Sequence, residues 1–114
     1  MGWTFERLNE CLERRYVSGK NLTLAQFRIK AGCTVPAHSH ENEQISLVLE
    51  GRALFVVGGV AREVSAGEVV HIPPGAPHEV RALTDLVVVD VFSPRRDDWE
   101  RGGDSYLRGE GPSR

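Results

Sequence analysis

Gly32-Cys33-Thr34-Val35-Pro36-Ala37-His38-Ser39-His40-Glu41-Asn42-Glu43-Gln44-Ile45-Ser46-Leu47-Val48-Leu49-Glu50-Gly51 opens on one glycine and closes on another, with two histidines and a glutamine between them. In an extended segment, residues two apart point to the same side, so His38 and His40 can face one ion together. The polar turn Glu41-Asn42-Glu43 can bring the amide oxygen of Gln44 back toward the imidazoles. A second stretch, from Gly67 through Pro73-Pro74-Gly75-Ala76-Pro77 to His78, supplies a third imidazole after an interval of 15 residues, Arg52 to Ala66. Its prolines fix φ, so His78 arrives with little orientational freedom left to lose. A lone His-x-His is common on exposed loops; the two glycine-framed motifs together make the case that His38, His40, Gln44 and His78 ligate a divalent metal.

Around these motifs the sequence reads almost wholly as β-structure from residue 21 to residue 92. Short β-branched runs are punctuated by Gly, Pro and Asn. Leu22 to Ile29, Ile45 to Leu49, Arg52 to Val57, Val60 to Val64, Val69 to Ile72, Val80 to Leu83 and Leu86 to Phe92 are the expected strands. Gly58-Gly59 marks a tight hairpin, because adjacent glycines can take the positive φ values of a primed turn. Many short strands with no helical pattern between them imply an antiparallel sandwich or barrel. In Leu86 to Phe92 both parities are apolar, which reads as a strand buried on both faces, one lining the barrel and the other meeting a second sheet, a terminal segment or a partner subunit, with Asp90 interrupting the row that Phe92 shares. Residues 3 to 20 fit two patterns: Phe5, Leu8 and Leu12 have helical spacing, while Leu12, Arg14 and Tyr16 alternate. A short helical turn followed by a strand is the expectation there. From residue 100 onward glycine and charge dominate, so residues 100–114 are expected to form a flexible tail.

A chain of 114 residues suits a single domain, spanning 1–114 with its core at about 12–92. Fourteen basic and sixteen acidic residues give a net charge of −2 with no extended basic run, which favours neither nucleic acid nor an anionic membrane as partner. The longest apolar run, Ala53 to Val57, is far short of a membrane span, and the first residues lack a leader pattern, so a cytoplasmic location is expected. Cys11 and Cys33 are expected as free thiols. His71 lies outside both motifs and is read as a strand histidine with a structural hydrogen bond. Trp3, Phe5 and Trp99 are read as packing residues.

Both motifs resemble the paired signatures of the cupin superfamily, over about residues 22 to 92. The resemblance implies an all-β, single-domain cupin, a double-stranded β-helix or jelly-roll-like barrel with a metal at its mouth. Gln44 departs from the Glu that most metal cupins carry, and Ala82 from the Asn that usually ends the second motif. With Gln44, all four ligands are neutral, so a bound divalent ion keeps its full charge and suits an anionic ligand. Nitrogen-rich ligation fits Zn, Ni, Fe, Co or Mn without choosing among them.

The segment Asp90-Val91-Phe92-Ser93-Pro94-Arg95-Arg96, set beside the first motif, is similar to the small cupins of pectin and alginate breakdown that ketonise 4,5-unsaturated monouronates. That likeness implies metal ligation by His38, His40, Gln44 and His78. It further implies a proton-shuttling Asp90, an apolar wall at Phe92 and a carboxylate-gripping Arg96, with Arg95 able to exchange roles with Arg96. The expected partner is a small anionic substrate, a sugar acid. Two rival readings stand beside it: an Fe-dependent cupin dioxygenase, and a non-enzymatic cupin that binds a small anion. The doubly apolar last strand and the likeness both imply a homodimer.

Overall fold

The computed structural model describes residues 3–109. Ten strands and two short helices follow in order: β1 (Glu6–Arg7), β2 (Leu12–Ser18), β3 (Thr23–Ile29), β4 (Thr34–His38), β5 (Glu43–Glu50), β6 (Arg52–Val57), β7 (Val60–Ser65), β8 (Val69–Ile72), β9 (His78–Ala82), β10 (Leu86–Ser93), α1 (Asp97–Glu100) and α2 (Ser105–Arg108). They build two antiparallel sheets, one ordered β1-β2-β3-β10-β5-β8 and the other β4-β9-β6-β7. Gly58 and Gly59 both take positive φ, 57° and 84°, and close the β6–β7 hairpin as their pairing implies.

Alternation along the strands places one parity in the core. β3 buries Thr23, Ala25, Phe27 and Ile29 while Leu24, Gln26 and Arg28 face outward. β10 buries Leu86, Val88, Asp90 and Phe92. Facing them from the smaller sheet are Val35, Ala53, Phe55, Val64, Val80 and Ala82. Each fully buried Phe, Ile or Leu in this interior contributes about 1.5–3 kcal/mol through removal of apolar surface from water.

Four sequence expectations give way. Residues 3 to 11 form no helix; β1 pairs with β2 instead, with Glu6 opposite Arg14. Cys11 and Cys33 are joined in a disulfide that ties the start of β2 to the start of β4. Their separation of 22 residues corresponds to about 3 kcal/mol of stabilisation in the chain-entropy picture. Such a bond is a feature of oxidising compartments rather than of a reducing cytosol. The outward parity of β10 is not buried within the chain. Val91 is exposed beside Ile45 on β5, and Val69 on β8 lies in the same open face. The core also extends beyond 12–92: Leu8, Trp99 and Leu107 are buried, and α2 packs against β4. The expected tail is therefore ordered structure through residue 109, while 110–114 lie outside the described residues. No helix among the described residues is long and apolar enough to cross a membrane.

Candidate metal centre and acidic pocket

The two sheets each contribute part of one site. β4 and β9 pair with His38 opposite His78, so two imidazoles come from adjacent strands of the smaller sheet. His40 follows in the turn after β4, and Gln44 enters on β5, which lies between β10 and β8. The ligand atoms of His38, His40 and His78 lie within 4.8 Å of one another. Gln44 Oε1 is 3.0 Å from His40 Nε2. All four residues expected from the sequence to ligate metal thus meet at one point.

Hydrogen bonds fix which ring nitrogen is free. Each Nδ1 lies against a backbone carbonyl: His38 against Pro36 at 2.7 Å, His40 against Asn42 at 3.0 Å and His78 against Ala76 at 2.8 Å. A carbonyl only accepts, so each Nδ1 carries the proton and each Nε2 keeps a bare lone pair. The buried His78 Nε2 has no hydrogen-bond partner. Gln44 donates its amide N–H to Ser46 Oγ at 2.9 Å, which turns Oε1 toward His40. Two lone pairs then face each other across 3.0 Å, an arrangement that a cation between them relieves. Burial drives the pKa values of His38 and His40 down to about 4 and lowers that of His78, so all three imidazoles are neutral at physiological pH. Neutral rings whose Nδ1 protons are held by backbone carbonyls are the form in which histidine ligates metal, and this donor set fits a divalent transition ion.

Beside these ligands stands a buried carboxylate. Asp90 pairs in register with Ser46, and Phe92 with Gln44, so the β10 side chains share the pocket with the β5 ligand. Burial raises the Asp90 pKa to about 6, against the opposing pull of hydrogen bonds from Ser46 and Gln44 and of the Arg96 charge. Its Oδ1 has no hydrogen-bond partner. Phe92 stacks edge-on against His40, with ring centroids 5.6 Å apart.

Arg96 lines the same pocket but is more tightly held than the sequence suggests. Its Nε and Nη2 donate to the two carboxylate oxygens of Asp98 at 2.9 and 2.8 Å. Nη2 also donates to Tyr106 Oη at 2.9 Å. The guanidinium lies 4.7 Å above the Phe92 ring and 4.4 Å above that of Trp99. Arg95 points elsewhere, to Asp97 and to the Gly19 carbonyl, and does not line this pocket. His71 makes the expected hydrogen bond, with Glu43 at 2.7 Å, on the outer surface. Trp99 packs as expected, edge-on to Tyr16, Phe27 and Phe92.

Sequence reasoning passed over Tyr106 and Leu107, which close the pocket from α2. Tyr106 lies 4.5 Å from the His38 ring. An apolar pair within an otherwise charged tail is the signal that could have found them. With α2 in place, the space these residues line is about 40 Å³. Drug-sized ligands ordinarily occupy pockets of roughly 300 Å³ or more.

Solved structures share this arrangement of strands. KdgF from Halomonas sp. matches with a TM-score of 0.80 and 28% identity, covering 84% of this chain and 90% of that one. An RmlC-like cupin from Shewanella frigidimarina gives the same TM-score and identity, over 84% and 87%. A Bacillus subtilis protein named H2HPP isomerase is 35% identical over 77 residues, 67% of this chain, though the match spans only 31% of that longer protein. The cupin domain model matches residues 25–92, which run from β3 to β10 and contain every expected ligand together with Asp90 and Phe92. Strand order, ligand convergence and this match agree: the chain belongs to the cupin family.

Proposed function

We propose that this cupin holds a divalent transition metal on His38, His40, Gln44 and His78 and isomerises 4,5-unsaturated monouronates to their linear keto form. The observation that carries the reading is the buried Asp90 carboxyl, with an unpartnered Oδ1, in the pocket lined by His38, Gln44 and His78, whose neutral donor atoms converge with that of His40. The resemblance of the β10 segment to uronate-ketonising cupins and the likeness to KdgF support it.

The ion, when bound, supplies Lewis-acid polarisation and an undiminished positive charge for the substrate carboxylate. The remaining work falls to the side chains. Asp90 accepts the proton of the hemiacetal hydroxyl as the ring C–O bond opens, and returns it to the alkene carbon as the enol becomes a ketone. The reaction is an isomerisation, so atoms and electrons balance without an oxidant. Arg96 adds a second positive charge beside the carboxylate, its orientation held by Asp98. Phe92 walls off the apolar side and keeps water from the proton path.

The alkene absorbance of an unsaturated galacturonate, followed under argon, tests this reading. Wild-type protein is expected to speed its loss, and Asp90→Ala to lower the rate by roughly a hundredfold or more. No acceleration by metal-loaded wild type would overturn the assignment. We further propose that the outward face bearing Ile45, Val69 and Val91 receives a second copy of the chain. Light scattering is expected to give a dimer mass for wild type and a monomer mass for Val91→Lys; a monomeric wild type would contradict it.

A further inference from the structure

The segment that closes the pocket is attached differently from the strands beneath it. Its base is fixed: the Arg96 N–H donates to Thr23 Oγ1 at 2.8 Å, and Asn42 Nδ2 donates to the Pro94 carbonyl at 2.6 Å. The Trp99 ring then bolts α1 to the core. Beyond Trp99 come Gly102, at φ 79°, and Gly103. From residue 95 to 109, the backbone-to-backbone hydrogen bonds close within the segment, such as Leu107 N–H to the Asp104 carbonyl and Gly109 N–H to the Ser105 carbonyl. Among the described residues none joins it to a barrel strand. Side chains hold α2 instead: Asn9 Nδ2 donates to the Leu107 carbonyl at 2.8 Å, Arg14 pairs with Asp104 at 2.9 Å and Arg108 reaches Glu6 at 3.5 Å. A unit lacking ladder bonds to its neighbours opens at lower free energy than the sheet it covers.

The inner face of α2 is chemically specific. Tyr106 Oη accepts from Arg96 Nη2 at 2.9 Å and from Trp99 Nε1 at 3.2 Å. With both acceptor positions used, its single O–H is left to donate, and no acceptor for it stands among the described residues. Leu107 fills the space beside it, leaving the cavity of about 40 Å³. That space takes an ion and a water or two, not a six-carbon sugar acid.

We propose that α2 is a lid over the metal pocket, hinged at Gly102–Gly103, and that Tyr106 on its inner face is a positioning residue whose hydroxyl donates to an oxygen of the bound sugar acid. This rests on the sugar-acid reading above for the ligand, but the lid itself is tested without turnover. The lid opens to admit the ligand, and Leu107 sets how large that ligand can be once it closes.

Amide hydrogen exchange on zinc-reconstituted protein, with D-galacturonate as probe, is the experiment. In wild type, the Leu107 and Gly109 amides are expected to exchange at least roughly tenfold faster than those of Val88 and Asp90 in β10. Asn9→Ala is expected to speed the α2 amides further and leave β10 unchanged, and saturating galacturonate to slow them. Tyr106→Phe keeps the ring and removes the proton, so its galacturonate Kd is expected to weaken about fivefold while acetate binding stays the same. Exchange of α2 at the β10 rate, or indifference to Asn9→Ala, would overturn the lid. So would galacturonate binding that leaves α2 exchange unchanged, as entry through the outer cleft beside His40, Glu41 and Arg101 would produce. An unchanged Kd in Tyr106→Phe, or no galacturonate binding at all, would overturn the role of Tyr106. Galacturonate protection of α2 without ketonisation would discard the reaction and keep the lid; ketonisation over a static α2 would do the reverse.

Discussion

The mouth of this barrel is made of two halves held by different forces. His38, His78, Gln44, Asp90 and Phe92 stand on strands, each fixed by ladder hydrogen bonds on two sides or by a paired neighbour. The covering half, residues 97–109, rests on buried aromatic contacts and on ion pairs reaching back to the N-terminal strands, Asp104 to Arg14 and Arg108 to Glu6. The strand half gives the ligands their geometry. The covering half governs what reaches them, and it does so through interactions that pH and single substitutions can remove.

That difference can be broken from either side. The largest expected effect lies on the strand side. His78→Ala removes a proposed ligand outright, so metal affinity should fall by more than the roughly 10–100-fold that loss of a group hydrogen-bonded to a ligand costs. Elemental analysis after dialysis reads this, while unfolding curves report whether the barrel survives.

Arg14→Leu strikes the covering half. Arg14 is buried, pairs with Asp104 and Glu6, and lies over the Tyr16 and Trp99 rings at 4.7 and 4.6 Å. Removing one member of a buried pair leaves the other uncompensated. A loss of about 3 kcal/mol is expected, at the lower end of such cases because Arg108 still reaches Asp104 at 3.1 Å. Urea unfolding measures it, and metal stoichiometry should be unchanged. Loss of metal together with stability would mean that the two halves are not separable.

A smaller effect comes from acid. The hydrogen bond from Arg14 holds the Glu6 carboxyl below its usual range; hydrogen bonds from Arg108 and Arg14 outweigh burial and do the same for Asp104. Groups with depressed folded values bind fewer protons when folded than when unfolded. Their stabilisation is therefore complete above the unfolded carboxylate range, near pH 5, and is lost as the pH falls through and below about 4. Melting temperatures measured from pH 6 to 3 should fall more steeply for wild type than for Asp104→Asn. Parallel curves would show that this pair contributes nothing.

The same division explains what could be read from the sequence. Period-two alternation and glycine punctuation encode the strands locally, so most of β3 to β10 and the convergence of His38, His40, Gln44 and His78 were legible, as was the shared parity of Asp90 and Phe92. β4 was legible only as an extended segment carrying His38. The covering half depends on encounters across the chain. Arg14 meets Asp104 and Asn9 meets Leu107, 90 and 98 residues apart, and no local pattern announces either. The Cys11–Cys33 bond was missed for a related reason, since two cysteines with no motif between them give no sign that folding brings their strands together. The apolar outer row of β10 was legible as a pattern, but composition does not say whether such a row is covered by the same chain.

The central claim is that three bare imidazole nitrogens and one amide oxygen converge on a divalent ion. X-ray absorption at the metal edge of zinc-loaded protein, read with elemental analysis, tests it most directly. The expected result is one ion per chain with three imidazole nitrogens and oxygen, and no sulfur, in its coordination shell. Substoichiometric metal in wild type, or a shell without three imidazoles, would contradict it.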